Sequence, residues 1–270
     1  MNLVLYHDNC PDGFTAAWAC WKKFGDKADY RGVNYSDPVP ADVDGKDVYL
    51  VDFSFSLKQM EEIADRAHSV TVFDHHKTAA EALNKFIRGN VKFDMNRSGA
   101  GITWDELHGG DCTLVNYVED CDLWHWHFPS SREISEYIFS VERTFPSWDL
   151  LAMDLETRFD DIVDRGLVLL RAKRVRVATI CQNARFLTFN GIQIPMVNTC
   201  WDMSEIGEYL CEQFPQAPAA GYYFDRKDKR QWGFRSRGEF DVSVLCKQFG
   251  GGGHKNAAGF ESEIGWLPEV

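Results

Sequence analysis

The sequence has no stretch of about 18 consecutive apolar residues, so no membrane-spanning helix is expected. Its start, Met-Asn-Leu-Val-Leu-Tyr-His-Asp, has neither a basic region nor a long apolar one, so no signal peptide is expected. Positive charge is scarce: 29 Lys and Arg face 41 Asp and Glu, for a formal charge of −12. That disfavours tight binding of long duplex DNA, which needs cations to neutralise phosphates. A small phosphorylated substrate stays open, because bound metal ions reverse the local field. None of the 8 cysteines lies in a Cys-x-x-Cys pair, so a zinc ribbon has little support. A chain of 270 residues with 44% hydrophobic content needs no disulfide scaffold. Reduced thiols and a cytoplasmic location are the simpler expectation. Internal repeats and low-complexity linkers are also missing, and the composition disfavours disorder.

The chain is organised around residues 70–77, Val-Thr-Val-Phe-Asp-His-His-Lys. Its first four residues read as a strand buried on both faces, which places Asp74, His75 and His76 at the carboxyl end. Ligands bind at that end of an open α/β sheet. A carboxylate and two imidazoles there suit a metal such as Mn, Fe, Co or Zn. Two earlier apolar runs behave alike. Residues 3–6 lead into His7-Asp8-Asn9-Cys10-Pro11-Asp12-Gly13, and residues 48–51 lead into Asp52. Helical spacing follows the first run (Phe14, Ala17, Trp18, Trp21), and a Ser56…Gln59 capping box follows the second. Strands alternating with helices predict a doubly wound parallel sheet that brings all three polar ends to one edge.

The remaining chain divides by texture. Residues 96–101 read as a loop, 102–108 as a helix, and 115–118 as an apolar lead into the acids Asp120 and Asp122. Residues 149–182 read as one long helix linking a first domain, 1–148, to a smaller α+β domain with a mixed sheet, 183–270. In that second domain Asn190-Gly191 signals a hairpin between 185–189 and 192–197. Helix is expected over 201–214 and 242–249, and strands over 219–224 and 231–236. The run Gly250-Gly251-Gly252-Gly253-His254 then serves either as a hinge or as a loop whose N–H groups cradle phosphate. Arg235 stands on the strand before it, able to fork onto phosphate.

Each feature also has an ordinary reading. Histidines at a strand end are often plain surface residues. The basic cluster Arg171, Lys173, Arg174 and Arg176 fits a solvated helix face. Cys121, His125 and His127 offer a second metal set, but the aromatic residues around them fit packed surface better. The convergence of acids from three strands favours a metal centre, with Asp52 as bridge. Two bridged ions are the usual means of hydrolysing a phosphoester.

These motifs together resemble the DHH phosphoesterases: Asp74-His75-His76, the His7…Cys10-Pro11-Asp12-Gly13 segment, Asp52, Asp120 and the segment 250–259. The resemblance implies an N-terminal DHH domain and a C-terminal substrate domain. It also implies two Mn²⁺ ions, with Mg²⁺ or Co²⁺ as substitutes. His7, Asp12 and Asp52 would hold one ion, and Asp52, His75 and Asp120 the other. Further candidates are Asp8, Cys10, Asp74 and Asp122. His76 would meet the scissile phosphate beside Asp52, with Asp74 supporting the ligands. Arg235, Ser236, Gly251, Gly252, Gly253 and His254 would hold the substrate's far end. The family's first motif carries two Asp one residue apart. Here Cys10 or Phe14 takes one of those places.

The expected function is a metal-dependent phosphodiesterase, exonuclease-like, that degrades short single-stranded oligonucleotides or linear dinucleotides to mononucleotides. The alternatives are a cyclic-dinucleotide phosphodiesterase, a phosphatase of nucleotide bisphosphates, and an inactive nucleotide sensor. The expected partner is a short nucleic acid, with no membrane, and the chain is a monomer or a homodimer.

Overall fold

The structure is a computed structural model that describes residues 1–35 and 37–268; the last two positions of the expected 183–270 domain lie outside them. The chain forms two compact units, the first ending at Leu170 and the second starting at Arg171.

In the first unit, β1 (Asn2–His7), β2 (Ala28–Val33), β3 (Asp47–Val51), β4 (Ser69–Asp74) and β5 (Asn90–Phe93) form one sheet. Its order is β2-β1-β3-β4-β5, and every pairing is parallel. The order reverses between β1 and β3, where open α/β sheets bind ligands. Alternating side chains explain both layers. Leu3, Leu5, Val48, Leu50, Val70 and Val72 pack with Met60 and Ile63 of helix α2 (Leu57–Arg66). Val4, Val51 and Phe73 face the opposite way. They pack with Phe14 and Trp18 of α1 (Pro11–Phe24), and with a group of later helices. Each such fully buried side chain contributes roughly 1.5–3 kcal/mol. The short helix α3 (Lys77–Ala82) follows the histidine pair.

Two sequence expectations need correction here, for 96–101 and 149–182, and the apolar lead at 115–118 gains its structure. Residues 96–101 are not all loop: Gly99 opens α4 (Gly99–Leu107), with Ser98 Oγ accepting the Gly101 N–H at 3.1 Å. Residues 115–118 lie within helix α5 (Thr113–Asp122), whose Leu114, Val115, Tyr117 and Val118 recur at helical spacing and are buried. The single helix over 149–182 is two. After α6 (Ser131–Ser140), α7 (Phe145–Thr157) buries Trp148, Leu151 and Leu155 in the first unit's core. The chain then breaks at Arg158 before α8 (Phe159–Cys181).

The second unit holds β6 (Arg185–Phe189), β7 (Ile192–Asn198), α9 (Met203–Gln213), β8 (Ala219–Arg226), β9 (Lys229–Ser236), α10 (Val242–Lys247), β10 (Gly252–His254) and β11 (Ala257–Glu263). The sheet order is β10-β11-β9-β8-β7-β6, mixed because only β7 and β8 pair in parallel. Asn190 and Gly191 both have positive φ, 51° and 81°, as the tightest hairpin turn requires. Trp232, Phe234 and Phe260 pack with α10 in one core. Val197 and Ala220 pack with α9 and the end of α8 in another. Part of the basic cluster on α8 is paired: Lys173 Nζ lies 2.7 Å from Glu205 Oε1.

Candidate metal centre at the strand ends

The ends of β1, β3 and β4 carry His7, Asp52 and the pair His75–His76. Asp52 follows β3 with φ of 53°, a left-handed conformation that costs a non-glycine residue about 1–3 kcal/mol. Room for it comes from Gly99, where a Cβ would sit 2.4 Å from the Asp52 Cβ. Asp52 is 1% exposed, yet neither carboxylate oxygen accepts a hydrogen bond. Two imidazoles face it instead: His7 Nδ1 at 3.5 Å and His75 Nε2 at 3.2 Å.

His75 Nε2 also lies 3.9 Å from Asp12 and 3.6 Å from Asp122. Three carboxylates therefore converge on one ring nitrogen. Burial by itself would lower the His75 pKa, but the facing Asp52 and the charges of Asp122 and Asp12 push it up to about 10. Burial would raise Asp52, but His7 and His75 hold it well below the usual carboxylate range. Asp12 is pushed up by burial and by the charges of Asp52 and Asp122. Burial also raises Asp122, against the opposing pull of His75. These are the marks of a buried acidic site that needs positive charge.

Asp12 is aimed by the amino end of α4, where Gly99 N and Ala100 N donate to it at 2.7 and 3.0 Å. Glu119 of α5 holds that end in place by accepting from Ser98 N at 2.9 Å and from the Arg97 guanidinium. Gly13 allows the chain to fold back, since a Cβ there would meet the His7 carbonyl at 2.3 Å.

Asp74 is fully buried and organises the histidine pair. It accepts from His75 N (2.7 Å), His76 N (3.1 Å), His76 Nδ1 (2.7 Å) and Ser54 Oγ. That fixes the His76 ring. The exposed Tyr35 stands edge-on to both His7 and His76, with ring centroids 5.6 and 6.1 Å apart.

Oxygen, nitrogen and sulfur atoms gather into three overlapping sets at this centre: His7–Cys10–Asp52, Asp52–His75–His76 and Asp12–His75–Asp122, with Asp52 facing the same His75 nitrogen. The orphaned Asp52 oxygens and the surplus of carboxylates fit a pair of divalent cations. Several expected positions differ. Asp12 lies in the set with His75, while Cys10 joins His7. Phe14 does not compete for that place, because it is buried against Phe145 and Trp148. Asp122, 24% exposed, stands in the centre, and Asp120 does not. Asp120 is buried and accepts from His127 N, Phe128 N and Ser131 Oγ, which makes it the clasp of the 123–131 turn. Asp8 also points elsewhere: it lies against Gly32 and accepts from the Asn9 amide. Asp120 groups instead with His125 and His127, whose rings stack at 4.9 Å.

In the second unit, Arg235 donates to Ser204 Oγ (2.8 Å) and to the Phe234 carbonyl (3.0 Å), its stem against Gly207. Ser236 is buried and donates to the Phe240 carbonyl at 2.6 Å. The second half of the glycine run is an edge strand, and the first half is the turn that leads into it. Gly250 turns out of α10 with φ of 81°, and Gly252, Gly253 and His254 pair with Gly259, Ala258 and Ala257. Sequence reasoning missed Tyr35, Ser54, Glu119 and the α4 amino end. Of these only the Gly99-Ala100-Gly101 triplet left a signal in the sequence.

No family model matches the chain. It is 29% identical over 294 residues to an uncharacterized protein of Acanthamoeba polyphaga mimivirus, spanning 99% of this chain and 69% of that one. Among solved structures, it superposes on the DHH domain of a member of a ribosomal-protein family with a TM-score of 0.61, at 12% identity, covering 96% of this chain and 82% of that one. The manganese complex of RecJ from Thermus thermophilus gives 0.56 at 14% identity, over 97% of this chain and 49% of RecJ. PggH of Vibrio cholerae, a pGpG-specific phosphodiesterase, gives 0.51 at 16% identity, over 97% and 93%. Among the described residues no helix is long and apolar enough to cross a membrane. The parallel sheet with its acid and histidine strand ends, followed by the mixed sheet, gives this chain a fold like that of the solved DHH domain.

Proposed function

We propose that this protein is a divalent-metal-dependent phosphodiesterase that cleaves linear dinucleotides or short single-stranded oligonucleotides to mononucleotides. The observation that carries this reading is Asp52, whose two buried oxygens lack hydrogen bonds while facing imidazoles on both sides. Among proteins of like fold, PggH acts on pGpG, itself a dinucleotide, and RecJ is an exonuclease crystallised with manganese. The net charge of −12 also favours a short substrate over a long one.

In this reading His7 and Asp52 would hold one ion, and Asp12, His75 and Asp122 would hold the other. When bound, such ions supply a nucleophilic water at neutral pH and offset charge on the phosphoryl oxygens. Asp74 anchors His76 through Nδ1, so that Nε2 can donate to a phosphoryl or leaving oxygen. Burial lowers the His76 pKa, but the Asp74 contact outweighs it and raises it, which keeps the ring a donor. Tyr35 forms an aromatic wall on which a base can stack. In the second unit, Arg235, Gly251, Gly252, Gly253 and His254 are proposed to bind phosphate.

The test is a substrate panel with Mn²⁺: a linear dinucleotide, labelled RNA dimers to pentamers, a cyclic dinucleotide and a nucleotide bisphosphate. Mononucleotides should be released fastest from the linear dinucleotide and the short RNAs. Full activity in excess chelator, or in His75→Ala protein, would overturn the reading.

A further inference from the structure

We infer that Cys10 supplies a thiolate to the ion held by His7 and Asp52, so that the two halves of the centre select different metals. The inference deepens the proposed metal centre and rests on it. Cys10 precedes α1, with Pro11 opening the helix, and the Gly13 N–H is its sulfur's backbone partner, while burial and the charges of Asp52, Asp122 and Asp12 hold its thiol protonated until a cation binds. Its Sγ, a His7 ring nitrogen and an Asp52 oxygen all lie within 4.8 Å of one another. The Asp52 oxygens in that group are buried and lack hydrogen bonds. A sulfur beside an orphaned carboxylate and an imidazole is a donor set in need of a cation. Phe14, the other residue at this motif, is committed to the core.

The chemistry of the two sets differs. His7–Cys10–Asp52 offers nitrogen, sulfur and oxygen, which suits Zn²⁺, Co²⁺ or Fe²⁺. Asp12–His75–Asp122 offers nitrogen and oxygen only, which suits Mn²⁺ or Mg²⁺ as well. On binding, the Cys10 thiol loses its proton to solvent and its sulfur lone pair forms the bond to the metal. No electrons are transferred, so no oxidant is needed. A mixed pair, with a thiophilic ion at His7 and a harder ion at His75, is the expected resting composition.

The experiment loads metal-free protein with Co²⁺ and follows its absorption and metal content together. Wild-type protein should show an ultraviolet sulfur-to-cobalt charge-transfer band. Cys10→Ser should lose that band while still binding cobalt at the second set. Zinc-loaded wild type should show a sulfur scatterer at about 2.3 Å in X-ray absorption. Cys10→Asp should bind cobalt without the band and shift its preference from Zn²⁺ towards Mn²⁺. Circular dichroism confirms that each variant is folded. Cobalt bound to wild type without the band, or a band that survives in Cys10→Ser, would overturn the thiolate while leaving the metal centre standing. Unchanged metal preference in folded Cys10→Asp would overturn it as well. Failure of wild type to bind any cobalt would instead overturn the metal centre, and the thiolate with it.

Discussion

Glycine does different work in the two units. In the first, Gly99 brings a helix end against Asp52, and the neighbouring N–H groups grip the Asp12 carboxylate. In the second, Gly251 and Gly253 bring backbone against backbone: a Cβ on Gly251 would lie 2.1 Å from the Gly259 carbonyl, and one on Gly253 2.6 Å from the Ala257 carbonyl. The first arrangement leaves a polar group unsatisfied, since Asp52 keeps two buried oxygens without hydrogen bonds. In the second, close packing of the run against β11 already explains why glycine is needed. A glycine-rich motif thus marks close approach, and what is approached decides whether a ligand is called for.

The largest expected effect is at the first unit's orphaned acid. Asp52→Asn should abolish binding of the metal pair and lower dinucleotide hydrolysis by several orders of magnitude, read by calorimetry and product release. Substitutions at two acids of α5 sharpen the contrast between site and scaffold. Asp122→Asn should weaken metal binding with little loss of stability, because Asp122 is partly exposed and stands among like charges. Asp120→Ala should leave two backbone N–H groups and a hydroxyl unpaired, costing about 1–3 kcal/mol in denaturant unfolding. In the second unit, Gly251→Ala should destabilise by about 1–3 kcal/mol through overpacking. Metal affinity should stay unchanged, and a weakened affinity would break the comparison.

A further effect is in pH. The folded-state pKa of His75, about 10, lies above its ordinary 6.5. Its contribution to the stability of metal-free protein is therefore complete below about 6.5 and lost as pH rises through about 10. Thermal melts of metal-free wild type should drop by a few degrees more between pH 7 and pH 10 than those of His75→Gln. An equal drop in both would contradict the assigned charge on His75.

The buried strands were legible because residues on both of their faces are apolar, so β1, β3 and β4 stand out as continuous runs. The flanking strands were not. Ala-Asp-Tyr-Arg-Gly-Val and Asn-Val-Lys-Phe are edge strands with one partner each, and polar residues interrupt their patterns. The break at Arg158 lacks a Pro or Gly to announce it. Asp120 and Asp122 could not be told apart by order along the chain. Two positions on a helix differ by about 200°, so one faces the centre and the other the turn beyond it. The placement of Cys10 and Phe14 likewise depended on which side of α1 packs into the core.

The most direct test of the centre is an anomalous-scattering crystal structure of the protein soaked in Mn²⁺. Two ions are expected, both touching Asp52, one beside His7 and Cys10 and the other beside Asp12, His75 and Asp122. Ions bound elsewhere, or an Asp52 that stays uncoordinated at saturating Mn²⁺, would contradict it.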